Sequence, residues 1–149
     1  MDWIAPGVAP AAFIVALLGV STAAGLVWRR RQGRAVASRA DVVLQPSDLA
    51  PDAGGPAPDF GLRGTLVQFS TEFCSSCPAT RRVLGAVAQA NAGVVHLDVD
   101  VTHRADLVRR FSILQTPTTL ILDAQGAVRV RIGGAVRRPL VEAGLQELS

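Results

Sequence analysis

Two hydrophobic patterns divide this chain. Between residues 10 and 28 no position is charged, and apolar residues run on without a polar face. At about 1.5 Å per residue that stretch makes a helix of roughly 28 Å, close to the ~30 Å hydrocarbon core of a bilayer. The pattern therefore predicts one N-terminal transmembrane helix. From residue 65 onward the apolar positions fall into short blocks instead. Residues 65–69 form an apolar run of strand length, and residues 78–90 follow with Val83, Leu84, Val87 and Ala88 at helical spacing. Residues 94–99 read as a second strand, 104–111 as a helix and 118–122 as a third strand. A turn at 123–126 returns the chain through 128–132 as a hairpin partner, and a last helix runs over about 138–148. Strand, helix, strand and helix followed by a hairpin and a helix imply an α/β fold: a mixed central sheet with helices on both faces.

Between these regions lies punctuated sequence. Pro46, Pro51, Pro56 and Pro58, with Gly54 and Gly55, exclude a long helix or a central strand over residues 45–64. Asp41, Val42, Val43 and Leu44 make a candidate first, edge strand, and Ser47-Asp48-Leu49 a candidate helical turn. The expected organisation is a short tail and transmembrane anchor over 1–28, an Arg-rich juxtamembrane tether over 29–40, and one domain over 41–149.

Charge sets the expected topology. The net charge is +3, every base is Arg, and five of these (Arg29, Arg30, Arg31, Arg34 and Arg39) directly follow the apolar run. A cleaved signal peptide would carry its positive charge ahead of that run, where this chain has Asp2. By the positive-inside rule the following domain faces the cytoplasm, with an extracytoplasmic placement as the alternative. Trp3 and Trp28 flank the run, as aromatic residues do at membrane interfaces. The basic block suits lipid headgroups, and no aromatic platform accompanies the later Arg residues, so no nucleic-acid partner is expected.

The candidate chemistry rests on the only two cysteines, in Cys74-Ser75-Ser76-Cys77. A Cys-x-x-Cys that follows a strand and opens a helix is a redox signature. The unpaired N–H groups and positive dipole end of the helix favour a thiolate at Cys74, the reactive species in disulfide exchange. Cys77, one turn into the helix, is placed to attack a mixed disulfide formed by Cys74. Structural zinc takes four ligands, and His96 and His103 stand at no finger or ribbon spacing, so no metal site is expected. A two-residue spacing closes too small a loop for a stabilising cross-link. Haem attachment would need His where Pro78 stands.

With this order of elements, Cys74-Ser75-Ser76-Cys77 and the later Thr116-Pro117-Thr118, the region from about residue 41 to the end resembles a thioredoxin domain, and anchored relatives of that family are familiar among bacteria. The resemblance implies a cis Pro117 packed against the redox pair, with the backbone of Thr116 meeting an extended substrate peptide. It also implies a redox-active disulfide between Cys74 and Cys77, no further cofactor, and protein thiols or disulfides as partners. Gly126 and Gly133 fall at the family's glycine positions. The departures are specific. Phe73 replaces the usual Trp, Ser75 and Ser76 replace Gly-Pro, Gln68 replaces the buried acid and His96 its companion Lys, while Arg82 replaces a helix Pro.

These residues yield a set of expected roles. Phe73 joins Thr116 and Pro117 in substrate binding. Ser75 and Ser76 tune the potential through hydrogen bonds to the thiolate. Gln68 cannot accept a proton as the acid does, and a neutral His96 facing the same pocket becomes a candidate base for Cys77. The expected function is a membrane-tethered thiol–disulfide oxidoreductase. The motif itself leaves the direction open, and a cytoplasmic placement implies a reductase. The competing expectation is a tethered adaptor that docks a partner through this fold without redox turnover.

Overall fold

The structure, a computed structural model, describes residues 8–31, 35–37, 42–50 and 55–148. The chain divides into two compact units, Met1–Gln32 and Gly33–Ser149.

The first unit holds one helix, α1 (Val8–Arg31). Its side chains from residue 11 to 27 are exposed, Phe13, Val15 and Leu18 among them. Thr22 returns its hydroxyl to the Leu18 carbonyl at 2.8 Å, which satisfies the polar group within the helix. Among the described residues no helix is long and apolar enough to cross a membrane. The helix expected over residues 10–28 is present; a transmembrane span is not shown. Trp3, Arg34, Arg39 and Asp41 lie outside the described residues, as do the side chains of Trp28 and Arg29 to Arg31.

The second unit is built on a five-stranded sheet. Its elements are β1 (Ala35–Ala37), a 3-10 turn (Pro46–Leu49), β2 (Gly64–Ser70), α2 (Cys77–Ala90), β3 (Val94–Asp100), α3 (Ala105–Arg110), β4 (Thr118–Leu122), β5 (Val128–Gly133) and α4 (Arg138–Gln146). The strand order is β1-β5-β4-β2-β3. Only β2 and β3 run parallel; the other pairs are antiparallel. Every residue of β2 is buried, as the apolar run 65–69 predicts for a strand covered on both faces. Alternate residues separate the two cores. Val67, Phe69, Leu120 and Leu122 pack with Leu107 and Phe111 around α3, whereas Leu66 and Ile121 pack with Leu84 and Val87 of α2 and Val141 and Leu145 of α4.

The first strand differs from expectation. Of the expected strand 41–44, the described residues 42–44 supply a single bridge, Val43 to Ala127, while the edge strand is β1, inside the stretch read as tether. Three residues facing one neighbour give too short a pattern to register as a strand. The turn before β5 requires glycine: Gly126 has φ +82°, and the Leu44 carbonyl occupies the space a Cβ would need. Leu44 N–H donates to the Gly126 carbonyl at 2.8 Å, tying the segment that precedes the 3-10 turn to the hairpin.

Candidate active site

The redox pair stands where β2 ends and α2 begins. Cys77 is the first residue of α2 rather than one turn inside it, so Cys74 lies just ahead of the helix. The backbone between them is a tight turn: Cys74 N–H donates to the Thr71 carbonyl at 3.2 Å and Cys77 N–H to the Cys74 carbonyl at 3.3 Å. Pro78 follows in the first turn, where its missing N–H costs no helical hydrogen bond. The two sulfurs form a disulfide, with the Cα atoms 5.4 Å apart. Their environments differ. Cys77 is buried and Cys74 half-buried, so the first sulfur faces incoming partners and the second faces the core. Ser76 Oγ lies 3.9 Å from Cys74 Sγ, within reach of a weak hydrogen bond, while Ser75 is exposed.

The loop before β4 completes the mouth of the site. The Thr116–Pro117 peptide is cis, with Pro117 buried and Thr116 half-buried. Thr116 Oγ1 lies 3.1 Å from Thr71 Oγ1, one hydroxyl donating to the other, which pins this loop to the turn that carries Cys74. The Pro117 carbonyl accepts from Gly134 N–H at 2.8 Å, and Thr118 Oγ1 donates to the Gln115 carbonyl at 2.7 Å. Phe73 is 86% exposed beside the pair, and Leu114 is 93% exposed on the loop leading to Pro117. Large apolar side chains left this open at a reactive site offer contact area to a partner.

Beneath Cys77, Gln68 is fully buried and donates through Nε2 to the Cys77 carbonyl at 3.1 Å. Its partners in register are Asp98 on β3 and Thr119 on β4. Asp98 accepts from Ser70 Oγ at 2.8 Å and pairs with Arg81 of α2. His96 pairs in register with Leu66, one step along the sheet from Gln68, and its Nδ1 lies toward Gly85. Gly85 is two turns along α2 from Cys77, about 12 Å at the helical rise. Gln68 is thus in contact with the Cys77 residue, and His96 makes no such contact among the described residues. Burial lowers the His96 pKa below 6.5; neighbouring Asp98 opposes the shift and Arg81 adds to it. The neutral imidazole is the favoured form there.

Sequence reasoning passed over Thr80, Thr119 and the Asp98–Arg81 pair. Thr80 stands one turn after Cys77 on the buried stripe of α2, and that spacing was open to notice. Thr119 and Asp98 reach Gln68 only through strand register. Among the described residues no cluster of His, Cys, Asp and Glu is grouped to hold a metal ion.

Comparison with known proteins agrees with this geometry. The Thioredoxin family model matches residues 62–146. No curated protein sequence matches the chain. Among solved structures, malaria-parasite thioredoxin-2 is 19% identical, with a TM-score of 0.52 over 57% of this chain and 82% of that one. Fasciola hepatica thioredoxin is 20% identical, with a TM-score of 0.51 over 60% of this chain and 84% of that one. A thioredoxin from Nicotiana alata is 23% identical, with a TM-score of 0.50 over 58% and 73%. These likenesses speak to the fold.

Proposed function

Because the chain belongs to the thioredoxin family and is a thiol–disulfide oxidoreductase, we propose that it works as a membrane-tethered reductase of protein disulfides on the cytoplasmic side. The observation that carries the tether is the uncharged run 10–28 closed by Arg29, Arg30 and Arg31. In the cytoplasm the ambient thiol pool is reducing, which sets the direction of exchange.

The site suggests how the turnover runs. Half-buried Cys74, ahead of the α2 N-terminus, attacks a partner disulfide as a thiolate. One S–S bond forms between Cys74 and the partner, and the partner's second sulfur leaves with the electron pair and takes up a proton. Buried Cys77 then loses its proton and attacks Cys74. The Cys74–Cys77 bond forms as the Cys74–partner bond breaks, and the reduced partner departs. Thr116, Pro117 and Phe73 hold the extended segment around the partner's cysteine. Ser76 tunes Cys74 through the contact with its sulfur, and Ser75, which is exposed, does so only once a partner excludes water.

Labelling with a membrane-impermeant thiol reagent, after reduction, tests the placement. Modification of Cys74 only in permeabilised cells is expected. Labelling of intact cells would put the domain outside and replace the reductase reading. Recovery of the whole protein in the soluble fraction would remove the tether.

A further inference from the structure

Beside the Thr116–Pro117 loop the surface holds an open cleft of about 540 Å³. Leu114 and Gln115, which precede the cis peptide, and Thr118, which follows it, all line this cleft. Ser112 lines it from the end of α3, and β5 contributes Arg131 and Gly133. Gly133 pairs in register with Thr118, which sets the end of β5 directly against the loop. A Cβ on Gly133 would meet Gln115 Nε2 at 2.5 Å, so the bare backbone lets the Gln115 amide lie across the strand. The cleft and the loop that meets a partner thus share one stretch of chain.

Arg131 gives the cleft its charge. Val130 and Ile132 enter the core with α2 and α4, so the alternation along β5 turns Arg131 to the α3 side. There its Nη2 donates to the Phe111 carbonyl at 2.5 Å and its Nη1 to the Ser112 carbonyl at 3.3 Å. A guanidinium has five N–H donors, and these two bonds leave others open. The neighbouring cations are neutralised differently. Arg129, two residues earlier on the same face of β5, pairs with Asp123, and Arg110 of α3 pairs with Asp48. Among the described residues Arg131 meets carbonyls and no carboxylate. It is half-buried, and burial pushes its pKa down, as expected of a cation whose surroundings supply no counter-charge.

We infer that this cleft seats an acidic side chain of the partner, carried a few residues from the target cysteine, and that Arg131 is the residue that reads it. The inference rests on the exchange reaction above and adds a substrate class, disulfides flanked by Asp or Glu. Two features select that occupant. The first is continuity: a segment laid along Thr116 by main-chain pairing runs on past Gln115 and Leu114, and its alternate side chains point at the surface beneath. The second is charge. The planar guanidinium matches a carboxylate through two parallel N–H···O bonds, whereas a basic side chain in the same place would face a half-buried like charge. Leu114, 93% exposed at the rim, covers the pair once a partner is seated, and exclusion of water strengthens the attraction.

The test uses the full chain, reduced, in a neutral detergent, with short peptides whose single cysteine carries a 2-thiopyridyl group. Attack by Cys74 on the peptide sulfur joins the peptide to Cys74 and releases pyridine-2-thione, which is followed by absorbance. The peptides differ at one position only, Glu, Gln or Lys, placed two or three residues before or after the cysteine. At one of these placements the Glu peptide is expected to react roughly tenfold faster than the Gln peptide, through a lower half-saturation concentration, and the Lys peptide slower than both. Arg131→Gln should bring the Glu and Gln peptides to the same rate. Arg131→Lys, which keeps the charge without the fork, should retain a smaller preference for Glu; none at all would count against the proposal. If Arg131 did no more than hold the end of α3, its loss would slow every peptide alike, and a Glu-to-Gln ratio that persists in Arg131→Gln overturns the proposal. So does a parent protein that takes the two peptides equally at every placement. If Arg131→Gln does not fold, Ser112→Asp replaces it. Asp tolerates the positive φ of +49° there and sets a carboxylate in the cleft, so the preference should vanish, and a preference left intact would overturn the proposal. Failure of every peptide to release pyridine-2-thione would overturn the exchange mechanism and this inference with it.

Discussion

On the α3 side of the sheet, Phe69 and Phe111 stack with ring centroids 5.8 Å apart among Val67, Leu107 and Leu120. On the α2 side, at the same end of β2, the corresponding layer holds Gln68, Thr80 and Thr119. The two faces are equally buried and chemically opposite. A layer needed only for stability is filled with apolar side chains, because burying a polar group without a partner is costly. The polar layer occurs beneath the buried sulfur of the redox pair. Position relative to Cys77, rather than depth, separates the two.

The comparison is broken most sharply at the sulfurs. Cys74→Ser should abolish release of thionitrobenzoate from DTNB through the pair while leaving the far-UV spectrum of the parent. Full activity in that variant would refute the mechanism. Phe111→Ala inverts the outcome. Deleting a stacked ring that is 2% exposed should cost about 3–5 kcal/mol in urea denaturation. Rates per folded molecule should stay near those of the parent, since α3 lies across the sheet from the pair. Equal loss of activity and stability there would erase the division between faces.

A smaller effect is expected at the mouth. Phe73 is 86% exposed, so Phe73→Ala should change stability by no more than about 0.5 kcal/mol. It should slow reduction of a protein disulfide such as insulin several-fold and leave the reaction with DTNB unchanged. Equal slowing of both substrates would mean that Phe73 shapes the pair instead of meeting the partner.

The smallest effect concerns His96. Burial holds its pKa below 6.5 in the folded protein, so between that lowered value and 6.5 the unfolded chain binds the extra proton. Stability on this account is fully present above pH 6.5 and declines as pH falls toward the folded value. His96→Asn should flatten that part of the stability–pH curve. An unchanged slope in the variant would assign the acid sensitivity to other groups.

What the sequence made legible follows from the range of the interactions. The buried run 65–69, the helical stripe after Cys77 and the hairpin around Gly126 are local patterns, and β2, α2, β4 and β5 appear within a residue or two of them. The pairing of Thr116 with cis Pro117 came through family resemblance, since no spacing announces a cis bond. Strand β1 stayed hidden because three residues at a sheet edge leave no period to read. The polar layer was half visible. Gln68 stood out as a missing acid, but Thr119 joins it only through antiparallel register, and Asp98 only through the parallel pairing. His96 drew attention as the replaced Lys, yet its place beside Gly85 sets it two turns from Cys77.

The division of labour between a half-buried Cys74 and a buried Cys77 is the centre of the account, and one trapping experiment addresses it directly. The Cys77→Ser and Cys74→Ser proteins, each reduced and incubated with insulin, are digested without reductant and their disulfide-linked peptides mapped by mass spectrometry. The account predicts a stable adduct on Cys74 in the first protein and none on Cys77 in the second. Adducts of equal yield on either cysteine, or an adduct on Cys77 alone, would contradict it.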